Sequence, residues 1–193
     1  MNRREFNKLI ASASLASAFP RGSAQTVLAP AQFHFSVMLW TIDNKLPIEH
    51  CMEIVAAAGY NGVELVSEFK KWSAEDTRHM KAKMHALGLI FDTIAGVDAG
   101  FSDPDGLNEL LEKLTTHIEI AKNLECSQII LLSGKRIDSL PRKSQHLACI
   151  ENLKRAGELA SKHDIQLVIE PIDPLENPPI YLTSVTEGFE IVR

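Results

Sequence analysis

The chain has 193 residues, of which 45% are hydrophobic and 23% are charged, and its formal net charge at pH 7 is -5. This is ordinary globular composition, sufficient for one full core. The acidic balance, with no long run of one sign, argues against a surface for nucleic acid or for an anionic membrane. The three cysteines, Cys51, Cys126 and Cys149, form no C-x-x-C pair, so we expect buried thiols rather than a zinc site or a disulfide framework.

The first thirty residues resemble a twin-arginine export signal. Arg3 and Arg4 are followed by Phe6 and then by a mildly apolar stretch, residues 9–19, that is rich in Ala and Ser. That stretch is too short to span a bilayer as a stable helix. The resemblance implies that residues 1–30 are a signal peptide and linker, and that the protein is periplasmic, with no membrane segment after cleavage. A disordered N-terminal extension is the alternative.

From residue 33 onward, short apolar runs alternate with amphipathic stretches at helical spacing. Runs of this kind, bounded by turn residues, are typical of strands in a parallel sheet. A turn at Asp43 and Asn44 separates the first strand from the first helix. We predict strands at residues 33–40, 62–67, 89–96, 128–134 and 166–170.

Each predicted strand is followed by a predicted helix. Ser73 with Asp76, and Ser184 with Glu187, have the spacing of a capping box at a helix N-terminus. Proline at a first helical position and glycine after the last turn mark several of the other ends. The predicted helices run from Pro47 to Gly59, from Ser73 to Gly88, from Asp103 past Ala121, from Pro141 to about Lys162, and from Ser184 to Arg193.

Five strand–helix units fit either a barrel or an open doubly wound sheet. No G-x-G-x-x-G follows the first strand, so a dinucleotide-binding sheet is disfavoured. A full eight-unit barrel takes about 250 residues, and the body of this chain is roughly five eighths of that. We therefore predict an α/β fold of the (β/α)8 TIM-barrel type, with residues 31–193 forming its first five units, and we expect the sequence to be a truncated barrel.

An open arrangement of this kind has consequences for association. Strands one and five would each leave an unpaired edge, which invites pairing with another chain. The inward faces, which we expect to include Val37, Leu65, Leu131 and Val168, would also lack an opposing wall. We therefore predict that residues 25–193 alone aggregate, self-associate, for example as a homo-oligomer, or stay molten.

The fifth strand ends in a carboxylate, Glu170, and Pro171 stops the ladder immediately afterwards. Alternation puts Gln166, Val168 and Glu170 on one face of this strand. Burying a lone carboxylate is costly, and the C-terminal ends of parallel strands are where α/β barrels keep their chemistry. Glu170 is therefore our candidate catalytic residue, and a solvated strand end is the alternative.

Three further residues are candidates for binding a substrate. Glu64 lies inside the second strand and either faces the barrel mouth or pairs with a neighbouring base, the interpretation we favour. Trp40, at the end of the first strand, either walls a pocket for a small polar ligand or packs in the core. Lys135, after the fourth strand, either offers a cationic donor to an anionic substrate or lies in a solvated loop.

The sequence lacks the short motifs of several other enzyme classes. Its seven histidines form neither H-x-H nor H-E-x-x-H, so no histidine-rich metal cluster is visible. No G-x-S-x-G occurs, so a nucleophile-elbow hydrolase has no support.

Several segments together resemble the hydroxypyruvate isomerase family, which belongs to the xylose isomerase-like TIM barrels. The most specific similarity is Ile169-Glu170-Pro171-Ile172-Asp173, followed by Pro178 and Tyr181-Leu182-Thr183. Gly62-Val63-Glu64 and Leu132-Ser133-Gly134-Lys135 also resemble the second- and fourth-strand signatures. The similarity covers roughly residues 33–193.

The resemblance implies an aldose–ketose isomerase that converts a small hydroxy-carbonyl compound or sugar through an enediol, as in hydroxypyruvate to tartronate semialdehyde. Glu170 matches the family glutamate that acts in proton transfer and lies at a divalent-metal site, with Mg, Mn or Zn as the metal. Trp40, Glu64 and Lys135 would bind the substrate. The partner glutamate and the other ligands lie on strands six to eight of the family, so we expect the five units alone to be inactive.

The sequence departs from the family at two points. The family often has a histidine near the end of strand three, where this chain reads Thr93-Ile94-Ala95-Gly96, and often has asparagine at the position of Asp173. A non-catalytic barrel that binds a sugar or a protein is the first alternative. An endonuclease IV-like DNA-repair barrel is the second, but its many histidine ligands and its basic face are not seen.

Overall fold

The computed structural model describes residues 35–42 and 45–193. The predicted export signal in residues 1–30, the start of the first predicted strand and the predicted turn at Asp43 and Asn44 lie outside these residues. Within them, no helix is long and apolar enough to cross a membrane.

The described body is a five-stranded parallel sheet in the order β1-β2-β3-β4-β5, with helices between successive strands. This confirms the predicted α/β fold of five βα units as a partial barrel. The strands are β1 Ser36–Met38, β2 Gly62–Val66, β3 Ile90–Ala95, β4 Gln128–Leu132 and β5 Gln166–Glu170. The α-helices are α1 Ile48–Ala57, α2 Ala74–Ala86, α3 Leu107–Asn123, α4 Arg142–Ser161 and α5 Val185–Val192, and two 3-10 helices span Leu39–Thr41 and Glu68–Lys71.

The hydrophobic core lies between the sheet and its helices. Leu65 and Leu131 are fully buried in it, and Val37 packs against it. Our prediction that these three side chains line the barrel interior is therefore wrong. Leu65 follows Glu64 directly, and adjacent strand residues point to opposite faces, so both could not face inward. Val168 fits the prediction, because it is half-buried on the face opposite to the core-packed Leu167 and Ile169.

Strand β3 carries one extra residue relative to β2. Val63 pairs with Phe91, but Glu64 pairs with Thr93, so Asp92 is left over in the ladder. Such a bulge lets two consecutive side chains turn to the same face. Phe91 is buried on the helix side. Asp92 and Thr93 are both half-buried on the face of the sheet that points away from the helices, which we call the interior face, and each bonds to another side chain of that face.

One predicted helix start and one predicted capping box differ from the structure. Helix α3 begins at Leu107 rather than at Asp103, because Asp103 instead closes a turn by accepting a hydrogen bond from the backbone N–H of Asp105 at 2.9 Å. The capping box of Ser73 with Asp76 is confirmed at α2. At α5, Ser184 caps the backbone N–H of Glu187, but the Glu187 carboxylate turns away to other partners.

The loops at the C-terminal edge of the sheet are tied to one another. Gly100 and Gly134 pack backbone to backbone, and a Cβ on Gly100 would lie 2.4 Å from the Gly134 Cα. The Ser102 N–H donates to the Ser133 carbonyl at 2.9 Å, and the Tyr181 N–H donates to the Gly134 carbonyl at 2.9 Å. These contacts hold together the loops at the edge of the sheet that carries Glu170.

All three cysteines are buried, as predicted. Burial raises the pKa of the Cys126 thiol to about 11 and that of Cys149 to about 12. Both therefore stay protonated at neutral pH, and neither has the thiolate character of a nucleophile or a metal ligand.

Candidate functional site

Glu170 is the last residue of β5, at the C-terminal edge of the sheet. Its side chain is half-buried on the face of β5 that points away from the helices. Burial raises the pKa of the Glu170 carboxyl, and the negative charges of Glu64 and Glu176 raise it further. A carboxylate whose pKa is raised in this way is a stronger base once it is ionised.

Glu64 lies in the middle of β2 on the same interior face. The Thr93 hydroxyl donates a hydrogen bond of 2.9 Å to its Oε2. Burial raises the pKa of Glu64, the Thr93 hydrogen bond opposes that shift, and the charges of Asp92 and Glu68 add to it. Among the described residues, no cationic side chain forms an ion pair with Glu64, so the interpretation that it pairs with a neighbouring base gains no support there.

Trp40 is exposed rather than buried in the core, which corrects the core-packing interpretation. It lies in the 3-10 helix that follows β1, and 53% of its surface is accessible. With Trp72 and Glu68 it lines a cleft of about 520 Å³ beside the end of β2. Glu170 is not among the residues that line this cleft.

Lys135 follows β4 and has an exposed side chain. Its backbone pairs with Ile180 in an isolated antiparallel bridge, and its carbonyl accepts a hydrogen bond of 3.4 Å from the Ser102 hydroxyl. The residue borders a small cleft of about 180 Å³ between the loops that follow β3 and β4. That cleft is separate from the one beside Trp40, and neither Glu64 nor Glu170 lines it.

The structure therefore brings two of the four predicted site residues, Glu64 and Glu170, together on one face, and it leaves Trp40 and Lys135 at separate clefts. Two further residues belong with the pair. Thr93 bonds to Glu64, and the charge of Glu176 acts on Glu170. Regular alternation along β3 would place Thr93 on the helix side, with Phe91. The bulge turns Thr93 to the interior face instead, so the sequence pattern could not identify it as a partner of Glu64.

The loop that carries Glu176 is anchored at both ends. The Ile172 N–H donates to the Leu182 carbonyl at 3.1 Å, and the Leu182 N–H donates to the Ser133 hydroxyl at 2.9 Å. Asp173 accepts hydrogen bonds at the turn between, including one of 2.8 Å from the Leu175 N–H to its carboxylate. This loop therefore begins at Glu170, and its far end is held at Ser133, directly after β4.

A divalent metal needs several oxygen or nitrogen ligands that converge on one point. Among residues 35–42 and 45–193, no group of three or more His, Cys, Asp or Glu side chains does so. The residues present therefore do not by themselves fit the metal that the family resemblance implies. Glu170 offers one carboxylate, and Glu64 has already engaged one of its oxygens with Thr93.

A family model described as a xylose isomerase-like TIM barrel matches residues 52–193. The hydroxypyruvate isomerase of Escherichia coli strain K12 is 27% identical over 145 residues, which are 72% of this chain and 56% of that protein. The chain thus spans little more than half of the length of this curated relative.

Three crystal structures share the fold. An AP endonuclease of family 2 from Brucella melitensis has a TM-score of 0.71 at 20% identity, over 82% of this chain and 63% of that one. D-psicose 3-epimerase from Clostridium cellulolyticum H10, solved with D-tagatose, has a TM-score of 0.66 at 18% identity, over 81% and 58%. The IOLI protein, solved with a zinc atom, has a TM-score of 0.66 at 14% identity, over 81% and 57%.

Proposed function

The chain belongs to the xylose isomerase-like TIM-barrel family, and we propose that it is an isomerase of the hydroxypyruvate isomerase type, acting on a small hydroxy-carbonyl compound or sugar. The observation that carries the proposal is the position of Glu170, half-buried at the C-terminal end of β5 with its pKa raised by burial. The similarity to a hydroxypyruvate isomerase supports the same reaction class.

In the proposed reaction, the Glu170 carboxylate removes a proton from the carbon next to a carbonyl group. For hydroxypyruvate, the proton leaves C3 while the C2 oxygen gains a proton, and an enediol forms across C2 and C3. A proton then returns to C2 while the C3 hydroxyl loses its proton, which gives tartronate semialdehyde. A positioned general base contributes about 10²–10⁴-fold to such a step. The half-buried setting of Glu170 favours the transfer, because a desolvated carboxylate binds the proton more strongly.

We propose Trp40, Glu64 and Lys135 as the substrate-binding residues. Glu64 has the strongest support, since it shares the interior face with Glu170. Lys135 is exposed and free to turn toward an anionic group, and Trp40 exposes a flat apolar surface at the rim.

We also propose that Glu170 is one ligand of a divalent metal, Mg, Mn or Zn. The zinc atom in the IOLI structure supports a metal in this fold. The other ligands would have to come from outside the described residues. Metal analysis by mass spectrometry tests this on the chain within a full-length barrel that supplies strands six to eight, and a barrel with less than a tenth of an equivalent of each metal after loading would contradict it.

The test of the isomerase uses the chain within a full-length barrel that also supplies strands six to eight of the family, with hydroxypyruvate in deuterated water, followed by proton NMR. We expect loss of the C3 proton signal and the appearance of tartronate semialdehyde, each dependent on the enzyme. Glu170→Gln should lower the rate by about 10²–10⁴-fold. Glu190→Gln, an exposed change on α5, is the matched control and should retain the rate.

A Glu170→Gln variant as active as the unchanged chain would remove Glu170 from the mechanism. No turnover of hydroxypyruvate by the full-length barrel, with or without added metal, would favour a non-catalytic barrel that binds a sugar or a protein. A nucleic-acid substrate is not proposed, because the net charge is -5 and the carboxylates of Glu64 and Glu170 lie on the interior face of the sheet.

We further propose that residues 1–30 direct export to the periplasm by the twin-arginine route. The support is the sequence alone, with Arg3 and Arg4 ahead of Phe6. Replacing both arginines by lysine should leave the precursor in the cytoplasm on cell fractionation. Undiminished export of that double variant would contradict the proposal.

A further inference from the structure

The environment of Glu64 has a feature that a regular strand pair could not provide. In an unbroken β3, consecutive side chains would alternate between the core and the interior face. Because of the bulge, Asp92 and Thr93 both lie on the interior face, between the buried Phe91 and Ile94. The bulge therefore moves a hydroxyl to a position directly opposite Glu64.

The two residues of the bulge have different partners. Asp92 accepts a hydrogen bond of 2.6 Å from the Ser36 hydroxyl and one of 3.4 Å from the Gln128 side-chain amide, near the N-terminal end of the sheet. Thr93 donates its hydroxyl to Oε2 of Glu64 at 2.9 Å, one step nearer to the C-terminal end. Asp92 is thus held within the sheet, whereas Thr93 has a carboxylate of the candidate site as its partner.

Only one of the two oxygens of the Glu64 carboxylate has a hydrogen-bond partner among the described residues. Oε2 accepts the Thr93 hydrogen bond, and Oε1 has no hydrogen-bond partner in residues 35–42 and 45–193. The charged groups that act on Glu64 are both acidic, Asp92 on β3 and Glu68 after β2, and Glu64 in turn acts on Glu170 of β5. An ionised Glu64 in this setting calls for a hydrogen-bond donor, and a ligand hydroxyl supplies one without adding a further negative charge.

We propose that Thr93 is a positioning residue that fixes the Glu64 carboxylate so that its Oε1 accepts a hydrogen bond from a hydroxyl group of the ligand. The proposal rests on the proposed function, in which Glu64 contacts the substrate, and adds how that contact is held and which chemical group it recognises. A hydroxyl held by Glu64 would orient the ligand carbon chain on the face where Glu170 acts.

The experiment compares Thr93→Val, which keeps the shape and removes the hydroxyl, with Thr93→Ser, which keeps the hydroxyl. The full chain is labelled with ¹³C in the Glu side-chain carboxyl, and Glu64→Gln identifies the signal of Glu64. The probe is dihydroxyacetone, a small neutral hydroxyketone, and its Kd is read from the signals that shift on titration. The pH titration of the Glu64 carboxyl is followed in the same samples.

We expect Thr93→Val to weaken dihydroxyacetone binding about 3- to 10-fold, as the loss of one hydrogen bond would do. The Glu64 carboxyl should also titrate at higher pH, because a hydrogen bond that favours its charged form is lost. Thr93→Ser should restore both. In a Glu64→Gln background, Thr93→Val should have a much smaller effect on Kd, since the two residues act as a pair.

The titration separates a positioning role from a packing role. If Thr93→Val leaves the Glu64 titration unchanged, or if Thr93→Ser fails to restore the Kd, the proposal is overturned. Absence of dihydroxyacetone binding to the unchanged chain overturns it as well. Binding that follows the expected pattern, without any turnover of hydroxypyruvate by the full-length barrel, would contradict the isomerase and leave the role of Thr93 standing.

Discussion

Gly62 leaves room for a hydrogen bond that crosses strand β2. The Ser36 hydroxyl on β1 donates to the Asp92 carboxylate on β3 at 2.6 Å, and Gly62 lies between them. A Cβ at position 62 would meet the Ser36 Oγ at 2.6 Å and the Asp92 Cβ at 3.3 Å. Because Gly62 has no side chain, the Asp92 carboxylate can join the N-terminal ends of β1 and β3 across β2.

We expect Gly62→Ala to destabilise the chain by about 1–3 kcal/mol, the cost of forcing an extra methyl group into a packed site. The measurement is the free energy of unfolding in urea. Gly157→Ala is the matched control, because Gly157 lies inside α4 and a Cβ there meets nothing within 4 Å. That change should be neutral or stabilising, by up to about 1 kcal/mol. Equal stabilities for the two variants would contradict this account of Gly62.

At the scale of elements, a polar network joins α4, α5 and the loop that follows β5. The Glu187 carboxylate on α5 accepts a hydrogen bond of 3.0 Å from the Tyr181 hydroxyl and forms an ion pair with Arg142. His146 Nδ1 lies 3.3 Å from the same carboxylate, and the Arg142 guanidinium lies 4.7 Å from the centre of the Tyr181 ring. The network fixes Tyr181, whose N–H anchors the loop to the end of β4.

Glu187 should therefore contribute a pH-dependent part of the stability. Burial alone would raise its pKa, but the hydrogen bonds from His146, Tyr181 and Arg142 outweigh burial, and the net pKa is lowered. A carboxyl with a lowered pKa in the folded state stabilises the protein above its unfolded pKa, about 4.3, and this contribution is lost as the pH falls through the folded value.

We expect Glu187→Gln to lower the free energy of unfolding by about 1–3 kcal/mol at pH 7, with a difference from the unchanged chain that shrinks below about pH 4. Urea unfolding at a series of pH values between 3 and 7 measures both effects. Glu190→Gln, on the exposed side of the same helix, is the control. A Glu187→Gln penalty that stays constant across that range would show that the ionised carboxylate is not the source.

The sequence predicted the order and type of these elements because each has a strong local signal. Apolar runs identified the five strands, and Ser73 with Asp76 identified the start of α2. The end of the β5 segment was predicted to the residue, since Pro171 cannot continue the ladder. Asp103 misled the prediction for α3, because the same side chain that caps a helix also closes a turn.

The candidate site was less predictable, because its contacts are between residues distant in sequence. Glu170 could be chosen from a carboxylate at a strand end, and Glu64 from a carboxylate inside a strand. The hydroxyl partner of Glu64 could not be found, because the bulge at Asp92 breaks the alternation on which a prediction of faces depends. Glu187 has a capping-box spacing, but Tyr181, Arg142 and His146 compete for its carboxylate.

At the scale of the whole described body, the sheet has β1 at one edge and β5 at the other. Among the described residues, β1 pairs only with β2 and β5 pairs only with β4, so each has an edge of unpaired backbone groups. An apolar stripe on α5 lies close to the β5 edge, where it borders a groove with Ile169 and Pro171. The stripe consists of Val185, Phe189 and Val192, each with more than half of its surface accessible.

Such an edge favours pairing with another chain, and the apolar stripe adds a second reason for association. Phe35, which directly precedes β1, is 63% exposed, and Val37 of β1 is only partly buried against the core. A second copy that set its β1 against β5 would bring these side chains toward the stripe on α5. We therefore propose that the body of the chain forms homo-oligomers through its sheet edges, in a head-to-tail contact that can close into a ring or continue as a chain.

We expect the purified chain to sediment as species larger than a monomer, with a mean mass that rises with concentration over the micromolar range. Phe189→Glu should shift the distribution toward monomer, because burying an unpaired charge in the contact is costly. Leu147→Glu is the matched control, since Leu147 is also about half exposed but lies on α4, outside the stripe. Thermal unfolding of each variant shows whether the monomer remains folded. If the unchanged chain is a monodisperse monomer with a cooperative transition, the open edges do not drive association, and the five-unit body is stable on its own.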